Sequence, residues 1–407
     1  MIRNLQTRQP KHSSALTHMR LTTLLAWLSL PYGWALAEPI LTQDGKAGFV
    51  ISDIKYVLGP DAEGSTACPQ GLTKGYNDIS EVLVDNSATT LDETDSDDKQ
   101  GRSPFATLRE NPNIKNLCMN PELGEPDPRF KTVSGKDLAL DGLDLDALYA
   151  QSKDFVPSKT CPHDDFLSIH GSTGIDNQFY RLAGCSPSYQ STGISNGIST
   201  AMLSGSWGIL IEISDVEDFQ NDDNVTVSFY ANDDPIRLDA TRKPLAYASY
   251  TREADPHYSS TTTGHIRDGV LTTNPVDLRF HWVVNSMFID RTLDDAIARV
   301  TINEDGTIEG LLAGFAQVED IYSFIYGYRD AKDRFGQPAP SERKIGSSIG
   351  KALVQGYTCQ GAYHALYRMA DGNMDDTGKC HSISMQYRIK ALPAFVIPNE
   401  QAMANRK

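Results

Sequence analysis

Apolar and polar residues alternate with a period of two over several stretches of the second half of the chain. Val225, Val227 and Phe229 interleave with Thr226, Ser228 and Tyr230, and Val276, Leu278, Phe280, Trp282 and Val284 interleave with Asp277, Arg279 and His281. Successive side chains of a strand point to opposite faces, so this spacing predicts half-buried strands. Trp207 to Ile213, WGILIEI, is a nearly continuous apolar run of the kind a strand shows when both faces are covered. RVTINEDGTIEGLLAG sets two more strands around Asp305-Gly306, a pair that favours the tight turn of a hairpin. Ile383, Met385, Tyr387 and Ile389 restore the alternation near the C-terminus. Strands so spaced, with polar turns and few helices, predict a mainly β protein: an antiparallel β-sandwich or jelly-roll-like core with a few peripheral helices.

After residue 316 the period lengthens. Val318, Ile321, Tyr322, Ile325 and Tyr328 fall three and four apart, which predicts an amphipathic helix from Gln317 to about Lys332. Arg334 to Lys351, with Pro338, Pro340 and several Gly and Ser, reads as a loop, and Cys359 to Ala370 as a second short helix. The first third is less regular. AGFVISDIKYVL has the apolar content of a strand or two, whereas Asp85 to Arg102 is polar, acidic and too poor in large apolar groups to offset the entropy of ordering, and is expected to be mobile. DLALDGLDLDALYA alternates Asp with Leu, as a short edge strand or turn would, with Asp141, Asp144 and Asp146 exposed. The expected division is 1–37, a leader; 38–157, an irregular region with a mobile acidic loop; and 158–407, the β core with C-terminal helices.

The leader is assigned on charge and apolarity. Arg3, Arg8, Lys11 and Arg20 stand without an acid, Leu21 to Leu30 is apolar, and Ala35-Leu36-Ala37 offers a small-x-small cleavage site. That is the layout of a secretory signal peptide, and its apolar run is short for a membrane span of about 20 residues. Met19-Arg20 alone would begin a shorter leader of the same kind, so either Met1 or Met19 serves as the start. Cleavage removes four of 37 Lys and Arg and none of 53 Asp and Glu, moving the net charge from −16 to −20. An acidic surface repels phosphate backbones and anionic lipid, which argues against nucleic-acid and membrane-surface partners. No later segment has transmembrane length. The expected location is the periplasm or the exterior.

Six cysteines, Cys68, Cys118, Cys161, Cys185, Cys359 and Cys380, follow the leader. An even count in an exported chain favours disulfides, and no CxxC supports a zinc ribbon or a redox motif. Sequential pairing is the expectation, since each neighbouring pair falls within one of three stretches, 38–157, 158–316 and the part after 316. On that pairing Cys161 and Cys185 would close a loop carrying His163, Asp164, Asp165, His170, Asp176 and Asn177.

Cys161-Pro162, then Gly174-Ile175-Asp176-Asn177-Gln178-Phe179-Tyr180-Arg181 and Gly184-Cys185, resembles a segment of a family of uncharacterised exported bacterial proteins. IEISDVEDFQND, EGLLAG and YRMADG extend the likeness over roughly residues 158 to 395. The resemblance implies export and a shared fold, and carries no activity, ligand or site residue.

Candidate chemistry is sparse. Asp164, Asp165, Asp176 and Asn177 offer the hard oxygens that calcium accepts, although Asp and Asn more commonly cap turns. Asp371, Asn373 and Asp375 open like a calcium loop, but Asp376 and Ser382 break its pattern. Gly193-Ile194-Ser195-Asn196-Gly197 matches the nucleophile elbow, yet no buried strand precedes it. Trp207 and Trp282 would suit a sugar platform, though strand tryptophans more often pack a core. The leading expectation is a non-catalytic exported protein that binds or scaffolds at the cell envelope and needs no cofactor. An extracytoplasmic hydrolase of a polymer or ester is the rival, favoured by a cleft with facing carboxylates, and a calcium-stabilised module is the third reading.

Overall fold

In the computed structural model, residues 45–59, 67–73, 117–135, 138–150, 160–191, 193, 202–205, 207–232 and 234–399 are described. The chain divides into Met1–Leu36 and Ala37–Lys407, and every described residue belongs to the second unit. The leader, the acidic stretch Asp85 to Arg102 and Ser195 lie outside the described residues.

The apolar runs fold as the alternation requires. In chain order the strands are β1 (Lys46–Tyr56), β2 (Ala139–Leu140), β3 (Phe166–Ser168), β4 (Thr173–Ile175), β5 (Gly208–Ser214), β6 (Asp222–Asn232), β7 (Ala248–Thr251), β8 (Ser259–Arg267), β9 (Val270–Thr273), β10 (Val276–Val284), β11 (Met287–Ile302), β12 (Ile308–Gln317), β13 (Gly372–Met374) and β14 (Cys380–Ile397). Except for β2 to β4, which form a small separate sheet, they belong to one sheet whose pairings are nearly all antiparallel. The protein is therefore mainly β, with a sandwich-like core and few helices.

The sheet also returns upon itself. β14 pairs β12 on one edge and β1 on the other, so that Tyr387 faces Leu312 and Tyr56, and Ile389 faces Gly310 and Ile54. β1 pairs β5, and the order β5, β6, β8, β9, β11, β12 completes a closed circuit. Closure removes the unpaired edge that such a sheet would otherwise present. Phe49, Trp207, Phe229, Tyr250 and Tyr322 belong to the main apolar core, each under 2% exposed.

Helices flank the sheet: α1 (Leu145–Tyr149), α2 (Gln178–Ala183), α3 (Val318–Ile321), α4 (Ser341–Gln355) and α5 (Cys359–Met369). The helix predicted from Gln317 to about Lys332 is shorter than expected. After α3 the backbone widens into a π turn over Tyr322–Gly327, and Tyr328 ends it in the left-handed region at φ 55. The predicted loop from Arg334 to Lys351 is corrected at its second half. Ser341 onward is helical, because Pro340 stands at the cap and Ile349 and Ala352 supply a buried stripe that its Gly and Ser residues disguise. The Asp-Leu segment forms β2 and then α1, with the Asp144 side chain accepting from the Ala147 N–H as a helix cap.

The sequential cysteine pairing is also corrected. The disulfides are Cys68–Cys185, Cys118–Cys359 and Cys161–Cys380, spanning 117, 241 and 219 residues. Each bridges regions that the sequence presented as separate, so the loop from Cys161 to Cys185 is not closed on itself. Cys118 is bolted to the start of α5 and Cys161 to the start of β14. Three such bridges suit an oxidising, extracytoplasmic environment. Among the described residues no helix is long and apolar enough to cross a membrane.

Candidate functional site: an acidic cleft beside the β10–β11 hairpin

β10 and β11 are joined by Asn285-Ser286, both at positive φ (51 and 58), the conformation of a two-residue hairpin turn. In the paired register Phe280 stands opposite Arg291 and Leu278 opposite Leu293, so these side chains share the inward face. Asp277 and Arg279 line the other face and look into a cleft of about 380 Å³. His281, predicted on that polar face, is nonetheless buried, with the Tyr258 ring packed edge-on at 5.3 Å.

The cleft owes its chemistry to an irregularity. The pairings of β11 with β10 and with β12 both slip around Asp294 to Ala296, and Asp295 adopts the left-handed conformation at φ 49. A bulge of this kind turns side chains away from the strict alternation, here bringing both Asp294 and Asp295 to the cleft beside Asp277. The Asp295 N–H donates to Asp277 Oδ1 at 3.0 Å, and Gln317 Nε2 donates to Asp294 Oδ2 at 2.9 Å. Tyr149 of α1 donates to the Asp295 carbonyl at 2.9 Å, so the N-terminal part of the chain also steadies the bulge.

Burial, and then the charges of Asp277 and Asp320, push the Asp294 carboxyl above its ordinary pKa, while Gln317 pulls against them. Asp295 is raised likewise by burial and by its neighbours Asp277 and Asp294. Ser382, near the start of β14, borders the cleft but is only 1% exposed, and its Oγ is enclosed by the fold without a hydrogen-bond partner. A buried hydroxyl without a partner costs roughly 1–3 kcal/mol, which makes it unusual in a folded protein.

Of the residues singled out as calcium ligands, Asp176 and Asn177 have side chains engaged by the fold, and Asp164 and Asp165 are exposed. Asn177 caps α2, accepting from the Tyr180 N–H and donating to the Val57 carbonyl. The Asp164 carbonyl accepts from Gln178 Nε2 and from the Arg181 guanidinium. Asp176 accepts from the Leu145 N–H at 2.7 Å and shares a hydrogen bond with Asp165. Among the described residues no group of three or more His, Cys, Asp or Glu side chains is placed to hold a metal ion. His163 bonds the Ala370 carbonyl and His170 is exposed. Asp371 accepts from the Ser384 N–H, and Asp375 organises a turn through Thr377 and Lys379. Trp207 and Trp282 stack on each other at 4.3 Å within the core.

Asp176 and Asp371 give the first prediction. Burial raises Asp176 to about 8 and Asp371 to about 7, with Asp146 adding repulsion to both. Unfolded, each would ionise near 4, so between about pH 4 and 8 the native state holds protons that the unfolded state has lost. Stability therefore falls as pH rises through that window. Asp176→Asn keeps an acceptor for Leu145 and a donor for Asp165, as protonated Asp176 does. The variant is expected to gain on the parent by on the order of 3–4 kcal/mol between pH 5 and pH 8. Denaturant melts at the two pH values check this; equal differences at both would refute it.

The cleft residues Asp294, Asp295, Gln317 and Ser382 escaped the sequence reading. Their one legible signal is the doubled Asp in LDDAI, which interrupts the alternation of an otherwise regular strand. Ser382 carries none, since its exposure depends on which strand lies beside β14. Comparison with family models, with curated proteins and with solved structures found no match to this chain.

Proposed function

We propose that the protein is exported through a cleavable leader and acts outside the cytoplasm, in the periplasm or beyond, as a non-catalytic binding protein of the cell envelope. Its binding site is the cleft of Asp277, Asp294 and Asp295. The observation that carries this reading is a cleft in which three carboxylates stand together, none of them with a salt bridge among the described residues. A volume of about 380 Å³ lies within the usual range of about 300–1,000 Å³ for small-molecule sites. The basic leader, the three disulfides and the likeness of residues 158 to 395 to exported bacterial proteins support the location.

Thermal melts against a panel of neutral, anionic and cationic sugars, polyols and amino acids test the binding role. A ligand at about 100 times its Kd stabilises by roughly 2.7 kcal/mol. At least one compound is expected to raise the midpoint of the parent and to leave that of Asp294→Asn unmoved. A panel without any such difference defeats the reading.

One feature favours the rival hydrolase: the cleft pairs a raised carboxyl, Asp294, with a neighbouring carboxylate, Asp277, the arrangement an acid and a base require. Release of nitrophenol from glycoside or ester substrates, lost in both Asp277→Asn and Asp294→Asn, would make this reading the better one.

A further inference from the structure

The three disulfides differ in their access to solvent. Cys68, Cys118, Cys185, Cys359 and Cys380 are each at most 5% exposed, whereas Cys161 is half-buried. Their surroundings show the same contrast. Cys161 Sγ lies 3.9 Å from the Gly378 carbonyl oxygen at an exposed position, while Cys68 Sγ lies 3.8 Å from the Gly184 carbonyl oxygen in the interior. A thiolate opens a disulfide by attacking one sulfur from outside, so access decides which bridge yields first.

The accessible bridge fastens a strap across a hairpin. β13 and β14 pair at Gly372 with Ser382 and at Met374 with Cys380. Asp375 closes the turn between them, its N–H bonding the Lys379 carbonyl and its carboxylate taking the N–H groups of Thr377 and Lys379. The segment from Cys161 to His163 lies against this hairpin. The Cys161 N–H donates to the Asp371 carbonyl at 2.9 Å, His163 Nε2 bonds the Ala370 carbonyl at 2.9 Å, and the disulfide pins the segment to Cys380.

The base and the tip of the hairpin are held differently. Asp371 at the base accepts from the Ser384 N–H and is buried. Beyond it β13 is only three residues long and pairs with β14 alone, so the tip depends on the clip at Cys380. That tip matters to the acidic cleft, because Asn373, in the left-handed conformation at φ 54, lines it.

We propose that Cys161–Cys380 is a thiol-sensitive clip on the cleft wall. A thiol opens it ahead of the other two bridges, and its opening loosens the tip of the β13–β14 hairpin. The thiolate attacks Cys161 Sγ, forms a mixed disulfide there and expels Cys380 as a thiolate, which takes up a proton. A second thiol attacks the mixed disulfide and frees Cys161. Two thiols thus become one disulfide, and the bridge receives their two electrons and two protons. This property goes beyond the binding role and does not depend on it.

The test exposes the full oxidised chain to graded glutathione at about pH 8, where part of the thiol is thiolate. Acid quenching, denaturation, alkylation and peptide mapping then give the order of opening. Cys161 and Cys380 are expected to be freed at least about tenfold faster than the other four cysteines. Hydrogen exchange on the same samples should show residues 373 to 380 losing at least about tenfold in protection, with β11 and β12 unchanged. The double variant Cys161→Ser, Cys380→Ser should show the loosened tip without any thiol, and the reduced native chain carries the same reading if that variant does not fold. Loss of all three bridges together, or earlier opening of either other bridge, overturns the clip. Selective opening with unchanged exchange at 373 to 380 overturns it too. None of these measurements uses a ligand, so the clip and the binding role stand or fall separately.

Discussion

Replacing Cys118 and Cys359 by serine is expected to cost roughly 4 kcal/mol of stability without preventing the fold under oxidising conditions. The span of 241 residues would suggest more. Loop entropy grows with the logarithm of the closed length, and a loop that long corresponds to about 5.5 kcal/mol by chain entropy alone. The other bridges shorten the effective loop. With Cys161 joined to Cys380, the unfolded chain already connects residue 118 to residue 359 by a path of about 64 residues, 43 from 118 to 161 and 21 from 380 back to 359. A loop of that size is worth roughly 4 kcal/mol. The three disulfides overlap in sequence, none nested within another, so each one limits what the next can add. Guanidinium unfolding of the oxidised double variant measures the loss. A cost under about 1 kcal/mol would mean that the unfolded chain stays compact around residues 118 and 359 even without the bridge. Full reduction removes all three constraints and should also disturb the cleft, because Cys380 lies two residues before Ser382 and the Cys161 N–H bonds the carbonyl of Asp371.

The same crossing of regions explains what the sequence conveyed. Strand content was legible because each strand satisfies its own alternation: β10 from Val276 to Val284 and the hairpin at Asp305-Gly306 needed no knowledge of their neighbours. Gly306 takes φ 79 in that turn, as its sequence context demanded. Closure of the sheet was not legible, since it depends on β14 finding β1 more than 300 residues away. Disulfide partners followed closure. Nearness in sequence favoured Cys161 with Cys185, but Cys161 is bonded to Cys380 at the start of β14, and Cys185, just after α2, to Cys68. Asp176 and Asn177 were recognised as polar loop residues of structural or ligating type, and their bonds to Leu145, Tyr180 and Val57 are those of caps and struts. The cleft stayed hidden because it is a property of a bulge, and a bulge shows in sequence only as a lapse of period.

Arg291 shows the opposite case, a strand whose alternation holds while the residue type breaks it, and its removal should have the other large effect. Met287, Ile289, Arg291 and Leu293 share one face of β11, which places a guanidinium inside the core at 7% exposure. Among the described residues it has no carboxylate partner, and its one hydrogen bond runs to the Met385 sulfur at 3.9 Å. Four rings surround it instead: Tyr387 at 4.6 Å, Phe324 at 4.7 Å, Trp282 at 5.3 Å and Tyr56 at 5.7 Å. Ring faces attract a cation by about 0.5–2 kcal/mol each, while taking the charge out of water costs several kcal/mol. The two nearly cancel, so the net contribution of the charge is small and that of the side chain's volume is large. Arg291→Ala, which empties the space between four rings, is expected to lose about 3–5 kcal/mol, as large-to-small core changes do. Arg291→Met fills most of the same space with a flexible apolar chain whose sulfur suits aromatic contact, and should stay within about 1.5 kcal/mol of the parent or exceed it. Denaturant unfolding of the two variants separates charge from packing. Losses of similar size in both would show that the rings hold the guanidinium for its charge, and the cancellation argued here would be wrong.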